Sequence, residues 1–385
     1  MRVLVAFDKF KDALTARAAC AAAASALGAR HPDWQLDLCP LTDGGEGFSE
    51  TLCQNPGARI EQITVQGPRG ECTDAPVGFL PAGSLSFKAR RRIVADGSAH
   101  IAVAGLASAS GLALLPRDQR DPWHTSTFGT GELLAYCAHP KAEVILLGVG
   151  GSATNDLGLG ALAALGLKFL DATGATIPVP TPATWARIQG IDVSGARKLP
   201  PIFIACDVTN PLLGPTGATA TFGPQKGLKA DGGPRLEAQV SRMAALLCQA
   251  CGKPLSLADT PGTGAAGGVA FGLMVAMGAK LVSGSDLVSD WLDLPARIAA
   301  SDLVITGEGR FDATSLSGKG PGSLVREAQR LGKPAHVFAG RLEVDQPHLS
   351  LRGVKTHAIT PKGMSLAEAL PRTAELLTQA ITREL

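Results

Sequence analysis

Short apolar runs alternate with helical segments at both ends of this chain, and this alternation restricts its fold more than any other feature. Near the N-terminus, residues 3–7 predict a strand, and an Ala-rich segment capped by Thr15 predicts a helix. Near the C-terminus, residues 302–306 and 335–339 predict strands, and residues 365–383 predict a final helix. The alternation predicts an α/β fold in which both ends of the chain contribute to one open sheet.

The middle of the chain differs in composition and predicts a second domain. Between about residue 71 and about residue 285, Gly, Ala and Pro are more frequent and the helix–strand rhythm is less regular. The length of 385 residues suits two or three domains at roughly 150 residues each. We predict a discontinuous Rossmann-like α/β domain from residues 1–70 and 286–385, with residues 71–285 inserted as a second α/β domain.

Charge and hydropathy argue against several classes of protein. Lys and Arg total 36 and Asp and Glu total 34, so the net charge of +2 does not indicate binding to nucleic acid or to an anionic membrane. A long stretch without these residues, 97–116, is interrupted by His100, serines and glycines, and it does not predict a membrane span. The N-terminal apolar run is too short for the core of a signal peptide. We therefore expect a cytoplasmic protein with small-molecule partners.

Polar clusters directly follow several of the apolar strands. They are residues 8–9, 43–46, 207–210 and 307–309. In open α/β sheets, ligands bind beyond the carboxyl ends of the strands, where such clusters converge. Asp, Asn and Gly also end strands simply because they form turns. Four clusters of this kind favour a shared ligand site over four unrelated turns.

The richest glycine loop, residues 148–156, follows an apolar strand and leads into a helical run. Glycine lets backbone amides approach an anion, and nearby Lys and Mg²⁺ neutralise the charge of a phosphate. Read literally, the loop also contains G-x-G-x-x-A, and Asp171 follows it, as in the dinucleotide fingerprint of a dehydrogenase. The residues alone therefore predict an enzyme that binds a small anionic ligand, with a nicotinamide-dependent dehydrogenase as an open alternative.

A set of short motifs runs in a fixed order through essentially the whole chain. The motifs lie at residues 7–11, 43–47, 120–133, 150–156, 206–212, 222–227, 264–268 and 302–310. In this order they resemble the type I glycerate kinases, bacterial enzymes that phosphorylate D-glycerate with ATP. The resemblance implies a Rossmann-like domain built from both chain ends, an inserted α/β domain, and an active site in the cleft between them. It also implies that the 148–156 loop belongs to a kinase rather than to a dehydrogenase.

The resemblance and the needs of phosphoryl transfer suggest a role for each candidate residue. We expect Asp207 to accept or orient the proton of the attacking hydroxyl, together with Lys11 and Asn210 as catalytic residues. Asp43 and Glu46 are expected to hold Mg²⁺, directly or through water. The other candidates are Asp8, Asn155, Arg310 and Lys319 for glycerate, and Gly150, Gly151, Ser152, Lys226, Gly267 and Glu308 for the nucleotide.

The chain departs from the family pattern at four positions, which are Lys9, Asp12, Gly105 and Thr314. Lys9 and Asp12 replace a small hydroxyl residue and a glycine, and Gly105 replaces a carboxylate, so substrate contacts are expected to differ there. The resemblance favours 2-phosphoglycerate over 3-phosphoglycerate as the product. A dehydrogenase acting with NAD on a small hydroxy acid and a non-catalytic protein that binds a small carboxylate remain the alternatives.

Overall fold

The computed structural model of the chain describes residues 1–138, 142–313, 315, 320–343 and 353–385. The strands are β1 (Arg2–Phe7), β2 (Gln35–Leu38), β3 (Arg59–Gln66), β4 (Cys72–Pro81), β5 (His100–Gly105), β6 (Val144–Gly148), β7 (Lys168–Leu170), β8 (Thr176–Ile177), β9 (Gly190–Asp192), β10 (Ile202–Ala205), β11 (Lys280–Val282), β12 (Leu303–Asp312), β13 (Ala335–Glu343) and β14 (Val354–Ala358). The helices are α1 (Ala16–Arg30), α2 (Phe48–Leu52), α3 (Phe87–Arg92), α4 (Ala107–Ser110), α5 (Phe128–Cys137), α6 (Leu159–Ala164), α7 (Ala218–Phe222), α8 (Gly233–Cys251), α9 (Ala265–Met277), α10 (Gly284–Trp291), α11 (Leu294–Ala300), α12 (Gly320–Arg330), α13 (Leu366–Ala369) and α14 (Thr373–Glu384). Within these described ranges, the helices are too short or too polar to cross a membrane.

The chain divides into two compact units, and the first of them is discontinuous. The first unit comprises Met1–Asp43 and Val288–Leu385, and the second comprises Gly44–Leu287. The predicted α/β fold with an inserted second domain is confirmed. The first division lies after Asp43 rather than after residue 70, because β3 and β4 pair antiparallel and β4 continues into the second unit's sheet through β5.

The first unit contains a five-stranded parallel sheet in the order β14-β13-β12-β1-β2. Val5 and Phe338 belong to the apolar core that packs under α1 and α14, and Val337 packs on the other face against Val325 of α12. The strands are nearly continuous apolar runs because both faces of the sheet are covered. From β1 the chain adds β2 on one side, whereas β12, β13 and β14 lie on the other side. The carboxyl ends of β1 and β12 therefore form a topological switch point, where ligands bind in sheets of this kind.

The second unit is built on a six-stranded sheet in the order β11-β10-β6-β5-β4-β3. The strands from β11 to β5 are parallel, and β4 and β3 are antiparallel additions at one edge. A separate antiparallel sheet has the order β8-β7-β9. One large core, which includes Trp185 and Phe271, fills the space between these sheets and their helices. The parallel strands bring Gly105, Gly148 and Ala205 to the same edge of the sheet.

Two stacked imidazole rings lie in the first unit, on strands β13 and β14. His336 and His357 have ring centroids 5.0 Å apart, and their Nδ1 and Nε2 atoms share a hydrogen bond of 3.1 Å. Burial, helped by His357 and Lys355 and opposed by Glu384, lowers the pKa of His336 to about 4. Burial also lowers the pKa of His357, against the effect of Glu384. The folded unit therefore holds this pair uncharged at neutral pH.

We predict that acid destabilises the first unit through His336. The unfolded chain binds this proton near pH 6.5, whereas the folded chain resists it until about pH 4, so stability falls as the pH decreases between these values. Urea unfolding at pH 7 and pH 5 measures the effect. The midpoint should fall less in His336→Leu than in the unchanged protein, and the exposed His100→Gln variant should behave like the unchanged protein. An equal fall in His336→Leu contradicts the prediction.

Candidate active site

Two glycine-rich loops of the second unit pack backbone against backbone at the carboxyl ends of its parallel strands. We call these loops, residues 44–47 and 148–152, the glycine cradle. The Gly150 amide donates a 2.9 Å hydrogen bond to the Gly44 carbonyl. A Cβ atom on Gly148 would lie 2.6 Å from the Gly44 oxygen, and one on Gly150 would lie 2.8 Å from the Gly45 nitrogen. Side chains are excluded here because the two backbones already touch.

The cradle presents two amide groups that are not bonded within the described part of the chain. Gly151 is exposed and adopts a left-handed φ of 71°. Its carbonyl accepts a 2.7 Å hydrogen bond from the Leu112 amide, and Ser152 forms an antiparallel β-bridge with Gly111. The loop is therefore held in place by residues 111–112. The amides of Gly151 and Ser152 have no acceptor among the described residues. Consecutive free amides beside a left-handed residue form an anion-binding concavity.

Glu46 brings a carboxylate to the same loop. A Cβ atom on Gly151 would lie only 2.7 Å from Oε1 of Glu46, so the carboxylate lies directly against this glycine. A carboxylate close to free amides suits a phosphate that carries Mg²⁺, since the ion is usually held by one or two carboxylates plus phosphate oxygens and waters. Glu46 and the predicted phosphate amides are thus brought together by the structure.

Asp207 lies just beyond β10 and holds the start of α10. Its Oδ1 accepts hydrogen bonds of 3.0 Å from both the amide and the hydroxyl of Ser285, and one of 3.4 Å from the Ser283 hydroxyl. A carboxylate that caps a helix stabilises the N-terminal end of its dipole. Sequence reasoning missed Ser283 and Ser285, whose signal was their place directly after the strand Lys280–Val282.

Asn210 organises the loop that follows Asp207. Its side-chain amide donates to the Thr216 carbonyl at 2.7 Å, and its own carbonyl accepts from the amides of Gly262 and Gly264 at 3.2 and 3.0 Å. These bonds connect three turns of the second unit. The observed contacts of Asn210 are structural ones.

Three of the predicted ligand residues lie in the interior of the second unit. Asn155 and Lys226 are 0% and 1% exposed, and Gly267 is buried against the backbone of Thr154 and Asn155. The Lys226 ammonium donates to the Thr154 carbonyl at 2.6 Å. These three residues are therefore buried, whereas Gly151 in the neighbouring loop is exposed.

Asp171 does not occupy the place that a dinucleotide fingerprint requires. In that fold the acidic residue follows the next parallel strand of the same sheet. Here Asp171 follows β7, which pairs antiparallel with β8 and β9 in the small separate sheet. Its Oδ1 closes a turn by accepting from Thr173 and Ala175. The dehydrogenase alternative loses its structural basis.

In the first unit, Asp8 and Glu308 lie at the topological switch point. Phe7 and Gly307 are paired across β1 and β12, and the Asp8 amide donates to the Gly307 carbonyl at 3.0 Å. Oδ1 of Asp8 accepts from the Lys9 amide at 2.7 Å, and the Lys9 ammonium lies 2.7 Å from Asp43. Lys9, one of the departures from the family pattern, therefore neutralises part of an acidic surface.

Glu308 has a carboxyl oxygen that no described residue pairs with. Its Oε1 is buried without a hydrogen-bond partner in the part of the chain that the structure describes. Burial, together with the nearby carboxylates of Asp8, Asp312 and Asp43, raises the pKa of Glu308 to about 7, and the hydrogen bond from Ser315 opposes this shift. A carboxyl group with a pKa near neutrality can exchange a proton at physiological pH.

Lys11 and Arg310 add further positive charge to this edge of the first unit. Lys11 is exposed, and its backbone packs on Gly309, where a Cβ atom would lie 3.2 Å from the Lys11 nitrogen. The Arg310 guanidinium pairs with Asp312 at 3.1 Å and with Glu343 at 2.6 Å. Lys319 and Thr314 lie outside the described residues.

Within the described ranges, no group of three or more His, Cys, Asp or Glu side chains is placed to hold a metal ion. The predicted ligands Asp43 and Glu46 nevertheless offer hard carboxylate oxygens, which Mg²⁺ prefers. Asp43 is half-exposed beside Lys9, and Glu46 lies against Gly151. A single carboxylate beside free amides, as at Glu46, fits an ion that arrives with a phosphate ligand rather than one held by the protein alone.

We predict that Gly150→Ala damages the glycine cradle through steric clash alone. Its backbone conformation is open to alanine, but the added methyl group would meet the backbone of Gly44 and Gly45 at 2.8 to 3.0 Å. We expect a loss of about 1–3 kcal/mol in the free energy of unfolding, measured in urea. Gly190→Ala is the matched control in the same unit, because nothing lies within 4 Å of its added Cβ. Equal stability of the two variants contradicts the packing described here.

Comparison with known proteins agrees with this architecture. A family model described as the glycerate kinase family matches residues 3–384. A glycerate kinase from Bacillus subtilis (strain 168) is 36% identical over 381 residues, covering 98% of this chain and 95% of that protein. A glycerate 2-kinase from Escherichia coli (strain K12) is 37% identical over 348 residues, covering 90% of this chain and 86% of that protein.

A solved structure is similar over the whole length. The crystal structure of a Salmonella typhimurium LT2 protein described as glycerate kinase 2 is 35% identical, has a TM-score of 0.74, and covers 100% of this chain and 96% of that one. The predicted resemblance is thus confirmed at the level of sequence and of fold. With its motifs, its architecture and its relatives in agreement, this chain belongs to the glycerate kinase family of enzymes.

Proposed function

We propose that this enzyme transfers the γ-phosphoryl group of ATP to the 2-hydroxyl of D-glycerate, giving 2-phosphoglycerate and ADP. The observation that carries the proposal is the glycine cradle, with the free amides of Gly151 and Ser152 beside the carboxylate of Glu46. The E. coli relative is named a glycerate 2-kinase, which supports the choice of hydroxyl.

The phosphates of ATP are assigned to the glycine cradle. Phosphoryl transfer depends mainly on positioning and on stabilising the charge of the equatorial oxygens. The amides of Gly151 and Ser152 supply fixed donors for this purpose, since the loop is held by Leu112 and Gly111 before any ligand arrives. Gly150 contributes close approach rather than a donor, because its amide is already bonded to Gly44.

Mg²⁺ is the proposed metal, with Glu46 and Asp43 as its carboxylate ligands. When bound, the ion neutralises the charge of the nucleotide phosphates. The position of Glu46 against Gly151 supports its part of this assignment. For Asp43 the support is its half-exposed carboxylate, which Lys9 holds in place.

Glycerate and its proton are assigned to groups of the first unit. Lys11 and Arg310 offer positive charge for the glycerate carboxylate, and Arg suits bidentate binding of a carboxylate. Glu308 is proposed to accept the hydroxyl proton, because it combines an unpaired oxygen with a pKa near 7. Asp207, expected from the sequence to serve this purpose, instead has its Oδ1 bonded to Ser285 and is proposed to position α10.

The reaction itself is tested by ³¹P NMR on the purified protein with ATP, Mg²⁺ and D-glycerate. We expect ADP to appear only when D-glycerate is present, together with the phosphomonoester signal of 2-phosphoglycerate. A signal of 3-phosphoglycerate would overturn the choice of hydroxyl but not the kinase reaction. ATP consumption that does not depend on glycerate would overturn the proposed substrate.

Two conservative variants distinguish the proposed roles of Glu308 and Asp207. We predict that Glu308→Gln lowers kcat roughly 10²-fold, the usual contribution of a proton acceptor. Asp207→Asn should lower kcat by less than about tenfold, because an amide oxygen can still accept from Ser285. Steady-state ADP release measures both, with circular dichroism as the check on folding. The reverse order of effects would return the proton-accepting role to Asp207.

A further inference from the structure

Among the described residues, Lys226 is the one lysine whose side chain is fully buried. Lysine is almost never fully buried unless its charge is paired. It lies in the short turn Pro224–Lys226, which ends at Gly227 with a φ of 91°. A Cβ atom on Gly227 would lie 2.0 Å from the Arg120 carbonyl, so the turn is locked against its surroundings. The direction of the Lys226 side chain is therefore set by a rigid backbone.

The ammonium group of Lys226 is directed at the protein backbone. Nζ donates to the Thr154 carbonyl at 2.6 Å. The opposite charge nearby is Asp156, which is 0% exposed and accepts from the Thr127 amide and hydroxyl at 2.8 Å each and from the Gly158 amide at 3.1 Å. Burial lowers the pKa of Lys226 to about 7, and Asp156 opposes that shift.

The Thr154 carbonyl is contacted from two sides, in the segment that follows the glycine cradle along the chain. On its other side lies the left-handed segment Ala266–Gly268, with φ values of 53°, 68° and 90°. A Cβ atom on Gly267 would lie 2.2 Å from the Thr154 oxygen, and the Leu157 amide donates to the Gly267 carbonyl at 3.1 Å. Residues 154–157 are therefore clamped between the Lys226 ammonium and this segment. Ser152, whose backbone amide is one of the two free amides of the glycine cradle, lies two residues before Thr154.

We propose that Lys226 is a positioning residue that fixes the glycine cradle through the Thr154 carbonyl and does not itself contact a phosphate. The inference rests on the proposed function, since it concerns the amides assigned to ATP. Donors aimed at a developing charge contribute most when they are held in place before the reaction. Loss of the Lys226 hydrogen bond frees the Thr154 carbonyl and, with it, the orientation of the amides at Gly151 and Ser152.

The test compares Lys226→Met with Lys229→Met. Methionine keeps the length of the side chain without its charge, and Lys229 is an exposed lysine three residues further along. We expect Lys226→Met to lower kcat roughly 10²-fold and to change the KM for ATP by less than about threefold, with Lys229→Met unchanged in both. A direct phosphate contact predicts instead that the dissociation constants of ATP and ADP rise about tenfold or more, which would overturn the proposal.

Hydrogen exchange separates positioning from simple loss of stability. In Lys226→Met, the amides of residues 148–156 should exchange faster, while those of β10 and β5 keep their protection. A uniform rise in exchange through the second unit, with unchanged kcat per folded molecule, would mean that Lys226 only supports the fold, and the proposal would fail.

Reductive methylation tests the unchanged protein and does not depend on whether a variant folds. Lys229 should be modified readily, and Lys226 should resist the reagent equally with and without ATP and Mg²⁺. Modification of Lys226 that ATP prevents would identify an open phosphate ligand and overturn the proposal. This experiment and the exchange measurement need no turnover, so absence of glycerate-dependent ADP release contradicts the proposed function without deciding the role of Lys226.

Discussion

The direct contact between two glycine-rich backbones is the constraint on which the rest of the second unit depends. Gly44 and Gly45 lie very close to Gly148 and Gly150. A methyl group on Gly148 or on Gly150 would overlap the backbone of the 44–47 loop. This contact makes the glycine cradle a rigid backbone structure at the carboxyl ends of the parallel strands. Two amides of the glycine cradle have no acceptor in the described part of the chain, and a carboxylate lies beside them. A kinase needs this combination of fixed donors and a hard oxygen ligand.

The first unit also has polar groups at the carboxyl ends of a parallel sheet, but these groups are carboxylates rather than backbone amides. Its chain leaves β1 in one direction and returns through β12 in the other, so the two strands diverge at their carboxyl ends, where Asp8 and Glu308 lie. Burial and neighbouring carboxylates hold the pKa of Glu308 near neutrality. Lys9 pairs with Asp43 and reduces the negative charge of this edge. The departure from the family pattern at Lys9 thus has a local electrostatic consequence that a serine would not produce.

Much of this architecture was predictable from the sequence, because it follows from local patterns. The apolar runs of β1 and β12 marked the parallel sheet, and the glycines of residues 148–152 marked a close backbone approach. The antiparallel pair β3 and β4 was missed, because strand pairing across a sheet edge leaves no composition signal at residues 59–81. The interior placement of Lys226 and Asn155 was equally unreadable. A charged or polar residue in a glycine-rich motif is expected at a surface, and only the tertiary packing shows that these two are buried and that Lys226 bonds to the Thr154 carbonyl.

The central claim is that the free amides of the glycine cradle receive the phosphates of ATP. A crystal structure of this protein with Mg²⁺ and a non-hydrolysable ATP analogue measures it most directly. The account predicts phosphate oxygens about 3 Å from the amide nitrogens of Gly151 and Ser152. Well-defined nucleotide density with its phosphates bound elsewhere, and with no phosphate oxygen within hydrogen-bond distance of these two amides, would contradict it.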